Sequence, residues 1–321
     1  MTKLKISIVL ILLINAINMN AQLDSTRMKT FNTKLNVGLF LADNNATNIF
    51  TNSQGETYTQ TMALKPSLGL QFAYNGAILA LGTGVPIPNG RYSYDSSRTI
   101  NISGYFSRPK YILWGAARRF EGLLNEDGNV AQNSEFINIA ASYMYIFSEN
   151  NYSFRAAYRQ VDQQLTSGGS WLIKSNLSFN SINTGSILDY QDTNLRNFNS
   201  QGISILGGYG YTLNFDSNWF ISALLLGGLE YQFGRYYDRP APDVGNSRSF
   251  NSFAPTYDFK SSVGYNSDRF YISILFGVDN RLAVNNIEGI DFAHQFLRTD
   301  LRFGTRINAP EVITKIGFLN R

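Results

Sequence analysis

The chain has no cysteine and a single histidine in 321 residues. Without thiols there are no disulfide staples and no thiolate metal site. One imidazole likewise excludes a histidine-cluster metal centre and a cysteine–histidine dyad. Charge is thin too, at 16% of residues, against about 25% in an ordinary globular chain. Beyond residue 14 no run approaches the roughly 18 apolar residues that a membrane helix requires. Glycine (27), tyrosine (19) and uncharged polar residues take the vacated space, and mean hydropathy stays slightly negative at −0.16. This mixture suits extended chain whose two faces meet different solvents.

At the N-terminus, Lys3 and Lys5 precede the apolar run ISIVLILLI (6–14), and a polar stretch ends at Ala21. That layout predicts a cleaved secretory signal peptide over 1–21, with an apolar part too short to span a bilayer. Its removal takes two lysines and no acid from the formal charge of +4, leaving +2. The sequence pI of 9.1 therefore implies no nucleic-acid partner. The expected organisation is a signal peptide, one β domain over 22–309, and a tail over 310–321 whose EVITKIGFLN has a strand-like pattern.

From about residue 33 onward, segments with period-two alternation recur between turn residues. The pattern predicts strands over 33–43, 66–74, 77–84, 98–107, 109–119, 134–147, 152–162, 169–182, 201–215, 217–232, 255–266, 269–281 and 292–307. That odd number suits a single-chain barrel poorly. A further strand in GSILDYQDTN (185–194) gives fourteen, and leaving 33–43 outside gives twelve. HQFLRTDLRFGTRI (294–307) shows the alternation best, with Leu297, Thr299, Leu301, Phe303 and Thr305 opposing Arg298, Asp300, Arg302, Gly304 and Arg306.

Alternation alone fits a soluble sandwich or a membrane barrel. Three features favour the barrel. The strands exceed the usual five or six residues. Aromatics gather near strand ends (Trp171, Trp219, Phe220, Tyr231, Phe233, Tyr265, Phe270), where a bilayer places its belts. Tight turns such as Tyr74-Asn75-Gly76 alternate with long polar stretches at 43–65, 85–97, 120–133, 233–254 and 282–291. The expectation is an all-β, antiparallel up-and-down transmembrane β-barrel of about 12–14 strands in the outer membrane.

In YSFRAAYRQ (152–160), read as a strand, Tyr152, Phe154 and Tyr158 would meet lipid while Arg155 and Arg159 enter the lumen. The larger stretch SFRAAYRQVDQQLTSGGSWLI (153–173), with GISILGGYGYTLNF (202–215) and GYNSDRFYISILFGVDN (264–280), resembles DUF4421, a family of Bacteroidetes-type bacteria. The resemblance implies an outer-membrane β-barrel of unknown function. It brings no substrate, cofactor or catalytic residue.

No catalytic, cofactor-binding or metal-binding residue is expected, and a non-enzymatic role follows. His294 shares parity with Arg298, and no serine carries a nucleophile motif. The lumen-facing candidates are Arg155, Arg159, Arg298, Asp300, Arg302 and Arg306. They could form a salt-bridged plug with Asp162, Glu230, Asp258 and Asp279, or bias a pore toward anions. Two roles stay open: a structural or partner-binding envelope component, or a small-solute pore. The expected partners are outer-membrane lipid, other envelope proteins, and small solutes if the lumen is open.

Overall fold

A computed structural model of the chain describes residues 24–51, 55, 57–62, 66–85, 98–124, 134–183, 197–216, 218–237, 247–281 and 291–314. The expected signal peptide and 185–194 lie outside them. Twelve antiparallel strands close into a barrel: β2 (Lys34–Thr51), β4 (Ser67–Tyr74), β5 (Ala77–Gly84), β6 (Arg98–Ser107), β7 (Tyr111–Glu121), β9 (Glu135–Ile146), β11 (Gly168–Asn183), β12 (Asn197–Asn214), β13 (Trp219–Tyr237), β14 (Ser247–Asn266), β15 (Phe270–Arg281) and β16 (Asp291–Asn308). Each pairs with its neighbours along the chain. The last strand returns to the first over eighteen pairs, from Asp291↔Thr51 to Asn308↔Lys34. Closure removes the free edges that hydrocarbon could not hydrogen-bond.

Two short strands thicken one rim. β3 (Thr57–Met62) folds back on the end of β2, and its own end pairs with β8 (Leu123–Leu124). The expected long polar stretches at 43–65 and 233–254 are therefore partly strand. At the opposite end the connections are short. Asn75 and Gly76 both take positive φ, 42° and 87°, in the β4–β5 turn, as a two-residue hairpin demands. The C-terminal tail begins as helix α2 (Glu311–Thr314), although its sequence has a strand-like pattern.

The two faces of the wall are chemically distinct. On β13, Ile221, Leu225, Leu229 and Tyr231 are exposed on the barrel's outside, while Ser222, Leu224, Leu226 and Glu230 are buried inside. On β16, Leu301, Phe303 and Ile307 point outward, and Asp300, Arg302 and Arg306 are buried within the barrel. Outward aromatics form two girdles. Near the short-turn end, Trp171 packs edge-on to Tyr209 and Trp219 to Tyr265, each at 5.3 Å. Nearer the other rim Tyr231 packs on Phe253 at 4.9 Å. Trp219 and Tyr231 are twelve residues apart on β13. At about 3.3 Å per residue and a tilt near 40°, that puts the girdles about 30 Å apart, close to the roughly 25 Å apolar band of membrane barrels. Phe220, expected among the girdle aromatics, is instead buried inside.

One predicted strand is absent from the wall. Residues 152–162 form helix α1 (Phe154–Arg159), followed by β10 (Asp162–Gln164), and the whole segment lies inside the barrel. Ser153 caps α1, its side chain accepting from Ala156 N, and Gln160 closes the helix in the left-handed region at φ 54°. β10 pairs with β1 (Met28–Thr30), so the N-terminal segment joins the insertion. The wall reaches twelve strands because this segment leaves it, and 33–43 belongs to it as part of β2.

Candidate functional site

α1 divides the lumen into two compartments. Below it, toward the short turns, the space is packed. Tyr152, Phe154, Ala157 and Tyr158 form one apolar cluster with inward side chains of the wall, including Leu172, Leu206 and Leu226 and, at the border with the space above, Ile112, Met144, Leu224 and Leu275. Tyr152, Phe154 and Tyr158 therefore meet this core and not lipid. Gly210 makes room for Tyr152, because a Cβ there would lie 2.5 Å from the ring.

Polar bonds lock the insertion in place. Arg155 contacts Asp162 through two nitrogens at 3.0 Å, and donates to Asn32 Oδ1 at 3.2 Å and Ser107 O at 3.4 Å. Both partners of this ion pair are buried. Burial raises the Asp162 carboxyl above its ordinary pKa, against the pull of Arg155 and Arg306. Two arginines of β16 hold the end of α1. Arg302 donates to Tyr158 O at 2.6 Å, and Arg306 donates to Gln160 O and, at 2.6 Å, to Asn266 Oδ1. Cations suit the last carbonyls of a helix. Ser262 donates to Ala157 O at 2.8 Å, and Asn266 to Asp162 O at 2.8 Å. A gap between the insertion and β12–β14 amounts to about 10 Å³, room for one water at most.

Above α1 lies a cavity of about 150 Å³. Its floor is Phe154, Tyr158 and Arg159, and its walls reach Phe120, Phe136 and His294 toward the loop-side rim. Two charge clusters line it. Asp258 is shared by Lys174, at 2.7 Å, and Lys260. Asp300 is shared by Arg298, at 2.6 Å, and Arg302. Arg118 lies over Phe296 at 4.4 Å and Trp114 at 5.6 Å. His294 Nδ1 is 2.8 Å from Asn48 Oδ1, and its ring lies against Phe136 at 5.4 Å.

The six candidate residues thus separate. Arg155 belongs to the packed half, with Asp162. Arg302 and Arg306 fasten α1 from the wall. Arg159, Arg298, Asp300 and Arg302 face the cavity. The inward leucines that pack against α1 were not singled out from the sequence. Their signal was a loss of alternation in ALLLGG (223–228) and ILFG (274–277), where consecutive apolar residues imply an apolar environment on both faces. Among the described residues no group of three or more acidic, histidine or cysteine side chains could hold a metal.

The profile of the domain-of-unknown-function family DUF4421 matches residues 22–306, nearly the whole chain. The chain belongs to that family. No curated protein matches it in sequence. Solved structures with a similar course include the outer membrane protease OmpT of Escherichia coli, at 5% identity and a TM-score of 0.41, covering 91% of this chain and all of that one. The toluene transporter TodX of P. putida aligns at 8% identity and 0.23, over 86% and 90%. The attachment invasion locus protein Ail of Yersinia pestis aligns at 8% and 0.22, over 84% and 98%. Likenesses this distant carry no argument about role.

Proposed function

We propose that the chain is an outer-membrane barrel with a closed lumen, a structural or partner-binding component of the envelope and not an open pore. The insertion 152–164 carries this reading, because it fills the short-turn half of the barrel with an apolar core and a buried ion pair. The outward girdles, and the exposed Ile221, Leu225 and Leu229 between them on β13, support lipid as the surrounding solvent. Short turns would then face the periplasm, and the longer connections the outside, where other envelope proteins would meet them. The role is non-enzymatic on this reading, with His294 engaged by Asn48 and Phe136.

Planar-bilayer recording of the full chain tests the proposal. Silent membranes are expected after insertion of folded protein. Steady, ion-selective conductance from the unaltered chain would instead establish the pore.

A further inference from the structure

The cavity above α1 carries a charge imbalance. Six arginine and lysine side chains line it against three aspartates. Lys174 and Lys260 share Asp258, and Arg298 and Arg302 share Asp300. Arg159 stands apart. Among the described residues its guanidinium makes no ion pair and no hydrogen bond, and its Nε is buried without an acceptor. Its contact is the face of Tyr105, 3.6 Å from the ring centroid. Burial pulls its pKa down to about 10, with Tyr105 and Asp300 opposing and Arg302 and Arg298 adding to the effect, so it stays protonated at neutral pH. Arg159 is half-buried and bonded to no acid, so its lost hydration is only partly compensated. An anion in the cavity would supply the rest.

The rest of the lining limits what the anion can be. Tyr105 packs on Trp114 at 6.1 Å, and Phe120 stacks on Phe136 at 6.0 Å. A cavity of about 150 Å³ lined by apolar side chains is known to take benzene. A planar guanidinium fork matches a planar carboxylate. We propose that the loop-side half of the lumen binds a small aromatic carboxylate, its ring against Tyr105 and Trp114 and its carboxylate on Arg159. This rests on the closed-lumen reading, which makes the cavity a blind site and not a stretch of channel.

Calorimetric titration of the folded full chain in detergent, with benzoate as the probe, tests it. Saturable binding of benzoate is expected, with benzyl alcohol and acetate each at least about tenfold weaker, or 1.4 kcal/mol. Arg159→Gln should weaken benzoate at least tenfold. Arg119→Gln, on the outward face with Glu121 and Glu135, should bind as the unaltered chain does. If Arg159→Gln fails to fold, Ala140→Phe, which fills the cavity and leaves every arginine, should abolish binding. Equal affinity for benzoate and benzyl alcohol, undiminished benzoate binding in Arg159→Gln or Ala140→Phe, or no saturable binding at all would each overturn the inference. Silent bilayers with no benzoate binding would sink this inference alone; conductance would sink the closed-lumen reading.

Discussion

Arg155 and Arg159 sit one turn apart on one helix, yet they end in different compartments. Arg155 turns into the packed half and meets Asp162 in a buried, two-nitrogen contact. Arg159 turns into the cavity, where its guanidinium lies over the face of Tyr105 and bonds to no acid. The same side chain is a structural clamp in one place and an unsatisfied charge in the other. The packed half resembles the core of a soluble domain, with inward leucines on α1 and hydrogen bonds to its carbonyls. The loop-side half holds a cavity of about 150 Å³ lined by charge, aromatic rings and a few aliphatic side chains. Twelve strands are too many for wall side chains alone to fill the bore, as they do in an eight-stranded barrel. The inserted segment closes the half in which it lies.

The largest difference between the halves should come from truncating these two arginines. Arg155→Ala strands the Asp162 carboxylate in the packed half, which costs about 3–5 kcal/mol. Arg159→Ala removes a cation with no counter-ion and should leave stability within about 1 kcal/mol of the unaltered chain. Urea unfolding midpoints of the two variants in the same detergent measure the contrast. Equal losses would mean that the two compartments are not distinct.

A somewhat smaller effect is expected at neighbouring leucines of β13. Leu226→Ala opens a cavity in the apolar cluster that the wall shares with α1 and should cost about 2–5 kcal/mol. Leu225→Ala, outward and exposed, should cost under about 1 kcal/mol in detergent. A similar loss at both positions would deny that an apolar core lies inside the barrel.

The wall was legible because lipid and lumen impose opposite chemistry at period two, and HQFLRTDLRFGTRI shows that period without interruption. The insertion was not, because four is an even number. Phe154 and Tyr158, and Arg155 and Arg159, share a face whether SFRAAYR is a strand or a helix. In the helix Phe154 and Tyr158 lie 4.8 Å apart, ring to ring. Evidence for the helix lay elsewhere, in Ser153 as a cap and in the Ala156-Ala157 pair, both better suited to a helix than to a membrane strand. The inward leucines gave a second clue, since a water-filled lumen has no use for them. The pairing of Arg155 with Asp162 spans a turn whose shape no local pattern specifies. The isolation of Arg159 depends on which wall residues surround it, and so on the closed barrel as a whole.

Because the chain contains no cysteine, single cysteines can report each compartment without background. The decisive measurement is the rate at which a charged, membrane-impermeant thiol reagent labels Ala140→Cys and Ala157→Cys in the folded protein. Ala140 lines the cavity, and Ala157 is buried between α1 and the wall. The account predicts that Ala140→Cys is labelled at least about tenfold faster, while Ala157→Cys reacts only after unfolding. Rapid labelling of Ala157→Cys in the folded state would contradict a sealed short-turn half.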